Sequence, residues 1–378
     1  FITGFVFFLS GMVKLMDPVG AGLVMDEYFS FLHISFLSFS AKAFGVFFAL
    51  TETVIGASLI TGVWRKVTAV CAIVLQAFFT LLTLLLVIFN PEMDCGCFGE
   101  AIHLTHLQTF IKNIILLALL LAYYIPHDQL GETLKKKYVS FGLVTVSVIA
   151  FTIYSLIYIP LIDFTAYRPG AELEAGAQVN ADDMYESIFT YEKDGIQETF
   201  TLGHLPDSTW TFVSVDTRLK KGYEESLTGL SFYAPQTGEY QDKLAIEGKV
   251  MVISVYNPDM KKDKWTQIEA FATRASKAGF RVLLLCASQE GIPANLQEQA
   301  YISDYKTLIS LNRSNGGITY FYNGQLIRKW ASINTPDASQ LQAIAETGPT
   351  EISIEQDNKG SLVFQGFLLY VFAVMLLM

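Results

Sequence analysis

Runs of almost unbroken apolar residues, separated by short polar breaks, fill the first 161 positions; beyond them the pattern turns to short strands and amphipathic helices. A helix needs about 20 apolar residues to cross a bilayer core of about 30 Å. The runs predict spanning helices at residues 1–16, 41–62, 67–89, 107–125 and 139–161, with a sixth at 362–378. The first is short and lacks an initiating Met, and the last stops at Leu376-Leu377-Met378 with no polar flank. Both ends read as spans cut through, so the protein is expected to extend in both directions. A secretory signal would need a small-residue cleavage site, and none follows the first run.

Between the fifth and sixth runs the texture is that of a soluble domain. Residues 162–183, with Pro169, Gly170 and Gly176, read as a linker. Ile188-Phe189-Thr190-Tyr191 and Glu198-Thr199-Phe200-Thr201-Leu202 flank Lys193-Asp194-Gly195, the pattern of a hairpin. Further on come a buried strand at 249–256, an amphipathic helix at 264–278, a strand at 281–286, a hairpin of 317–322 and 325–330 through Asn323-Gly324, and a helix at 336–346. Strand, helix, strand, hairpin, helix is the order of an α/β sandwich. The fold class is therefore a polytopic α-helical membrane protein with a soluble α/β domain.

Composition agrees, with 52% hydrophobic and only 16% charged residues over 378 positions. Short loops that keep basic residues face the cytoplasm. Arg65-Lys66 and Lys135-Lys136-Lys137 place the second-to-third and fourth-to-fifth connections there. Residues 17–40 and 90–106, read as the opposite loops, and residues 162–361 then lie on the outer side. The net charge of −10 is carried mostly by that outer segment, which argues against nucleic acid or anionic lipid as its partner.

Reactive chemistry is concentrated in Asp94-Cys95-Gly96-Cys97-Phe98-Gly99. A Cys-x-Cys disulfide closes a small, strained ring and should oxidise other thiols, and Gly96 and Gly99 supply the backbone freedom it needs. A loop between membrane helices can meet both a soluble dithiol and a lipid-dissolved quinone. Other readings stay open: a structural disulfide in an oxidising compartment, thiols without a role, or a metal site of Cys95, Cys97, His103 and His106. Lys14 and Glu52 lie within apolar helices, where a lone charge is costly, so they are expected to pair or to carry a proton near the thiols. Gln76, Lys112 and Asn113 are candidates for the same polar cluster. Gly4, Gly11, Gly45 and Gly56 suit close helix packing, and Trp64, Tyr123, Tyr124 and Tyr138 suit interfacial anchors. Cys286, in an apolar strand, reads as a buried small hydrophobe; Trp265 and Trp330 read as core or as a protein-binding patch. No phosphate loop, nucleophile elbow or dinucleotide fingerprint is present in the sequence.

Two resemblances cover much of the chain. Phe8-Leu9-Ser10-Gly11-Met12-Val13-Lys14-Leu15 with Asp17-Pro18, Glu52 in the second helix and Asp94-Cys95-Gly96-Cys97-Phe98-Gly99 resemble the DoxX/MauE family of four-helix redox-associated membrane proteins over residues 1–125. Residues 227–348 resemble the thioredoxin-like fold, through Ser231-Phe232-Tyr233-Ala234-Pro235-Gln236-Thr237-Gly238-Glu239, the strand Val250-Met251-Val252-Ile253-Ser254-Val255 and the hairpin at 317–330. Where that fold places Cys-x-x-Cys this chain has Met260-Lys261-Lys262-Asp263, and Ile318 stands where a cis-proline is usual, so the domain is expected to be redox-inert.

The resemblances imply a Bacteroidota-type protein of the bacterial inner membrane, with the Cys95/Cys97 loop and residues 162–361 in the periplasm. They divide the chain into a four-helix domain at 1–125, a cytoplasmic loop and fifth helix at 126–161, and a linker with a β-rich segment at 162–226. The thioredoxin-like domain at 227–348 follows, then a linker and sixth helix at 349–378. Two functions follow as expectations: Cys95 and Cys97 exchange disulfides with periplasmic thiol proteins and with quinone, or the protein is a non-enzymatic subunit or assembly factor docking a membrane partner.

Overall fold

The computed structural model describes residues 1–91, 93–125, 133–173, 185–193, 196–201, 206, 209–219 and 229–377. The membrane half is built from α1 (Ile2–Met16), α2 (Pro18–Phe31), α3 (Ala41–Thr61), α4 (Arg65–Phe89), a short β1 (Cys97–Glu100), α5 (His106–Tyr124) and α6 (Lys135–Ile157). The soluble half contains β2 (Tyr185–Lys193), β3 (Ile196–Thr201), β4 (Thr211–Leu219), β5 (Phe232–Tyr233), β6 (Lys249–Val255), α7 (Lys262–Lys277), β7 (Arg281–Cys286), β8 (Ala300–Ser303), α8 (Tyr305–Leu311), β9 (Gly317–Tyr322), β10 (Gln325–Trp330) and α9 (Ala338–Glu346), and the long α10 (Pro349–Leu377) returns to the membrane. Among the described residues five helices are long and apolar enough to cross a bilayer, or six if α1 and α2, bent by 101° at Asp17, count as one broken span. The chain is a polytopic helical membrane protein with a soluble α/β domain, and its apolar helix faces contact lipid.

Residues 17–40 are not the open loop that their mixed pattern suggested. The Asp17 carboxylate accepts from Gly20 N at 2.9 Å and Pro18 starts the helix, so α2 is capped at its first turn. Gly22 and Gly45 then let α2 lie on α3: a Cβ at Gly45 would come within 2.7 Å of the Ala21 carbonyl oxygen. The interruption by Asp26-Glu27 hid this helix from a search for apolar runs.

Small residues join α1 to α3, as expected. A Cβ on Gly56 would come within 2.8 Å of the Gly4 carbonyl oxygen, so the backbones touch where side chains would otherwise stand. Gly56→Ala is expected to cost about 1–3 kcal/mol by overpacking, read as a lower melting temperature in detergent, whereas the exposed Gly142→Ala, with open space around it, should change little. Beside this seam Phe8, Met12 and Ala49 pack with Val144 and Val148 of α6 and Val371 and Met375 of α10.

The lysines 135–137 sit in the first turn of α6 rather than in a loop. Lys137 Nζ donates to Met375 O at 2.9 Å and Ser140 Oγ to Val374 O at 2.6 Å, which satisfies carbonyls at the end of α10. Trp64 meets Tyr138 edge-on at 5.7 Å. Basic residues and interfacial aromatics therefore share one end of the bundle.

The soluble domain carries a six-stranded mixed sheet, β10-β9-β6-β7-β8-β5, with β6, β7 and β8 parallel and the others antiparallel. Every side chain of β6 beyond Lys249 is buried, because both faces are covered. On one face Met251 and Ile253 pack with Trp265, Ile268 and Phe271; on the other Val250 and Val252 pack with Leu308 and Leu311. Trp265 and Trp330 are core residues and offer no binding patch, and Cys286 is buried as expected. The pairing Lys193↔Ile196 joins β2 to β3 as a hairpin, its turn at Asp194-Gly195 lying outside the described residues, and β4 completes a separate three-stranded sheet. β8 and α8 were not foreseen. Residues 349–361, expected as a linker, form the first part of α10.

Candidate functional site

Asn90, in the left-handed region, ends α4, and a capping box of Thr105 and Gln108 starts α5. The segment between them is drawn into the bundle. Tyr28 Oη of α2 donates to Cys95 O at 2.9 Å, and Ser10 Oγ of α1 donates to Cys97 O at 2.6 Å. Gly96 lies at φ 59° with Val24 pressed against it, so a side chain there meets both backbone strain and a clash.

Neither cysteine is bridged. Cys95 is buried, with Sγ 3.0 Å from Thr109 Oγ1 and 3.4 Å from Leu104 O; Cys97 is half-buried. A hydrogen bond from the Cys97 thiol holds the Cys95 pKa down to about 5; burial opposes this, while Thr109, the Cys97 backbone and the Lys112 charge assist. The hydrogen bond to Cys95, followed by burial, pushes Cys97 well above the usual thiol range. The pair is thus asymmetric, with the lowered thiol on Cys95 and the raised one on Cys97.

The two thiols stand in the wall of a cavity of ≈ 360 Å³ inside the bundle. Phe44, Phe48, Phe78 and Phe79 make much of its apolar lining, and Lys14, Glu52, Gln76, Lys112 and Asn113 supply its polar points. Lys14 and Glu52 pair at 2.6 Å, and Lys14 Nζ also approaches Ser10 Oγ at 3.3 Å. Gln76 donates to Asn113 O, whose own amide donates to Thr83 Oγ1 at 3.1 Å. Lys112 lies over the Phe98 ring at 4.9 Å. The scattered polar residues of four helices thus converge on one chamber.

The four candidate metal ligands do not converge. His106 Nε2 is 3.0 Å from Pro91 O and His103 Nδ1 is 3.2 Å from Asp94 Oδ2, and both line an outer recess with Asp94 while the thiols face the inner cavity. Among the described residues no three His, Cys, Asp or Glu side chains are grouped for a metal ion. His103 and His106 thus hold partners of their own, Asp94 and Pro91, apart from the thiols.

Ser10, Tyr28 and Thr109 were missed. Ser10 stands four residues before Lys14 and Thr109 four before Asn113, so both share a readable helix face; Tyr28 was hidden with α2.

Residues 1–126 match the family model described as Methylamine utilisation protein MauE. That stretch is similar to a MauE family domain. Its limits coincide with α1–α5 and enclose the thiol pair, the Lys14–Glu52 pair and the cavity. Residues 185–222 match a domain of unknown function, DUF8463, which contains the three-stranded sheet outside the MauE domain. No curated protein and no solved structure matches the chain.

Proposed function

We propose that the MauE domain is a membrane thiol–disulfide exchange module in which Cys95 and Cys97 pass electrons from partner dithiols to a lipid-dissolved quinone. The observation that carries this reading is the dithiol in the wall of an apolar, aromatic-lined cavity. Its volume lies in the range of small-molecule sites, and phenylalanine rings with a few cationic and amide groups suit a flat apolar ring bearing two carbonyl oxygens. In the first half-reaction a partner dithiol reduces the Cys95–Cys97 disulfide and leaves as a disulfide. In the second, Cys95 thiolate and Cys97 thiol give up two electrons and one proton and close their disulfide; those electrons, that proton and a second one from the Lys14–Glu52 pair convert quinone to quinol. Among the described residues Cys71 lies on an exposed face of α4 and Cys286 in the sheet core, so one pair serves both halves.

The basic end of the bundle fits the cytoplasmic face of a bacterial inner membrane, with the dithiol loop and soluble domain in the periplasm. The sheet order supports a thioredoxin-like fold for the soluble domain, with Met260 and Asp263 where a reactive pair would stand.

The test is differential alkylation of the full-length protein in membranes, titrated in redox buffers and with a short-chain quinone. The expected result is a Cys95–Cys97 disulfide that forms on adding quinone and is lost on adding dithiol, and that is absent from the Cys95→Ser/Cys97→Ser variant. A pair that never oxidises, or a bond that never reduces, would overturn the reading in favour of a non-enzymatic subunit of a membrane complex.

A further inference from the structure

Among the described residues two cations tie the soluble domain to the dithiol end of the bundle: the exposed Lys306, 3.6 Å from Glu27 of α2, and the buried Arg313. Asn312, fully buried, donates to Ile318 O at 3.0 Å and Trp330 O at 3.2 Å and accepts from Ser314 N, which pins the segment after α8 to β9 and β10. From that fixed base Arg313 reaches into the membrane domain. Its Nε donates to Asp17 Oδ2 at 2.9 Å and its Nη2 to Glu100 Oε1 at 2.9 Å, while Nη1 donates to Ile309 O. The side chain is only 4% exposed, so little water competes for these contacts.

The two carboxylates belong to the two elements that hold the cysteines. Asp17 caps α2, whose Tyr28 holds the Cys95 carbonyl and whose Val24 presses on Gly96. Glu100 ends β1, the strand that begins at Cys97. One planar guanidinium, donating from two edges, therefore fixes the spacing of α2 and β1 on either side of the dithiol, which a lysine ammonium cannot do in the same way.

We propose that Arg313 is a positioning residue for the Cys95/Cys97 pair, so that the soluble domain sets the thiol-to-thiol geometry of the membrane domain instead of supplying a redox group of its own. This rests on the reading of that pair as the reacting group. Without Arg313 the Asp17 and Glu100 carboxylates lose the cation that stands between them, β1 and α2 part, and the hydrogen bond between the thiols lengthens.

The experiment reads ionisation of the reduced thiols in the full-length protein, with no electron acceptor present. Cys95 alkylation is followed against pH, and protection of Cys286 reports that the soluble domain stays folded. Arg313→Gln is expected to move the half-point upward by at least about one unit, a tenfold change in ionisation, with Arg313→Lys in between. An unchanged half-point with Cys286 still protected would overturn the proposal. Should Arg313→Gln expose Cys286, Glu100→Gln, which leaves Arg313 its bond to Asp17, is expected to shift the half-point in the same direction, and no shift there would overturn it. A wild-type pair that never oxidises would sink the exchange function and leave this measurement intact.

Discussion

Replacing Cys97 by Ala is expected to move the half-point of Cys95 alkylation from about 5 up by two units or more, toward the ordinary thiol value. The Cys97 thiol is the main donor to the Cys95 sulfur; without it Thr109, the backbone and the Lys112 charge remain, and burial works against them. The sign is that of an acid with a lowered pKa: Cys95 is a thiolate above about pH 5, so reactivity climbs through that value and is flat at neutral pH, whereas the variant is still climbing there. The half-point must be read, because a more basic thiolate is also more nucleophilic and partly conceals the loss in the rate at pH 7. In Cys95→Ala the remaining Cys97 loses the neighbour that most raises it, so its half-point should fall from its wild-type position. Isotope-coded iodoacetamide with mass spectrometry measures both cysteines in one sample. A Cys95 half-point that stays at about 5 in Cys97→Ala would show that the pair is not hydrogen-bonded in the working protein.

The second large effect belongs to the pair inside the bundle. Lys14 and Glu52 are held at 2.6 Å with side chains 15% and 7% exposed, so removing one leaves the other charged and buried. Lys14→Met or Glu52→Gln alone should cost about 3–5 kcal/mol, while the double variant should recover most of it, because replacing both partners of a buried pair is close to neutral. Thermal melts of the detergent-solubilised protein give the comparison. Additive losses in the double variant would mean that the pair is not coupled. If the double variant melts normally but its dithiol is reoxidised slowly by quinone, the pair is a proton source as well as a structural contact.

What could be read from the sequence follows from how locally each feature is encoded. Apolar runs of spanning length and the alternation from strand to amphipathic helix are written within a dozen or two residues, so α3, α4, α5 and β6, α7, β7, β9 and β10 were all foreseen close to their observed limits. The pairing of Lys14 with Glu52 was expected because two opposite charges in apolar helices have few other partners. α2 was missed because Asp26 and Glu27 break its pattern, and the evidence for it lies in Gly22 and Gly45, which matter only once α3 is packed beside them. His103 and His106 were grouped with the cysteines on spacing alone, whereas their contacts are with Pro91 and Asp94. Arg313 carried no local signal at all: its partners are Asp17 and Glu100, more than two hundred positions away.

The last helix has a mechanical meaning. Its 29 residues run without a break from the soluble domain into the bundle, giving a rod of roughly 43 Å at about 1.5 Å per residue, longer than the hydrocarbon core by nearly half. Its far end is tied to Lys137 and Ser140 by the carbonyls of Met375 and Val374. A rod with no joint converts rotation into displacement: a tilt of about 10° at the soluble domain would carry the opposite end through roughly 7 Å if it were unattached. With that end tethered, a load on the soluble domain would be transmitted along the rod as strain on the α6 contacts at its far end.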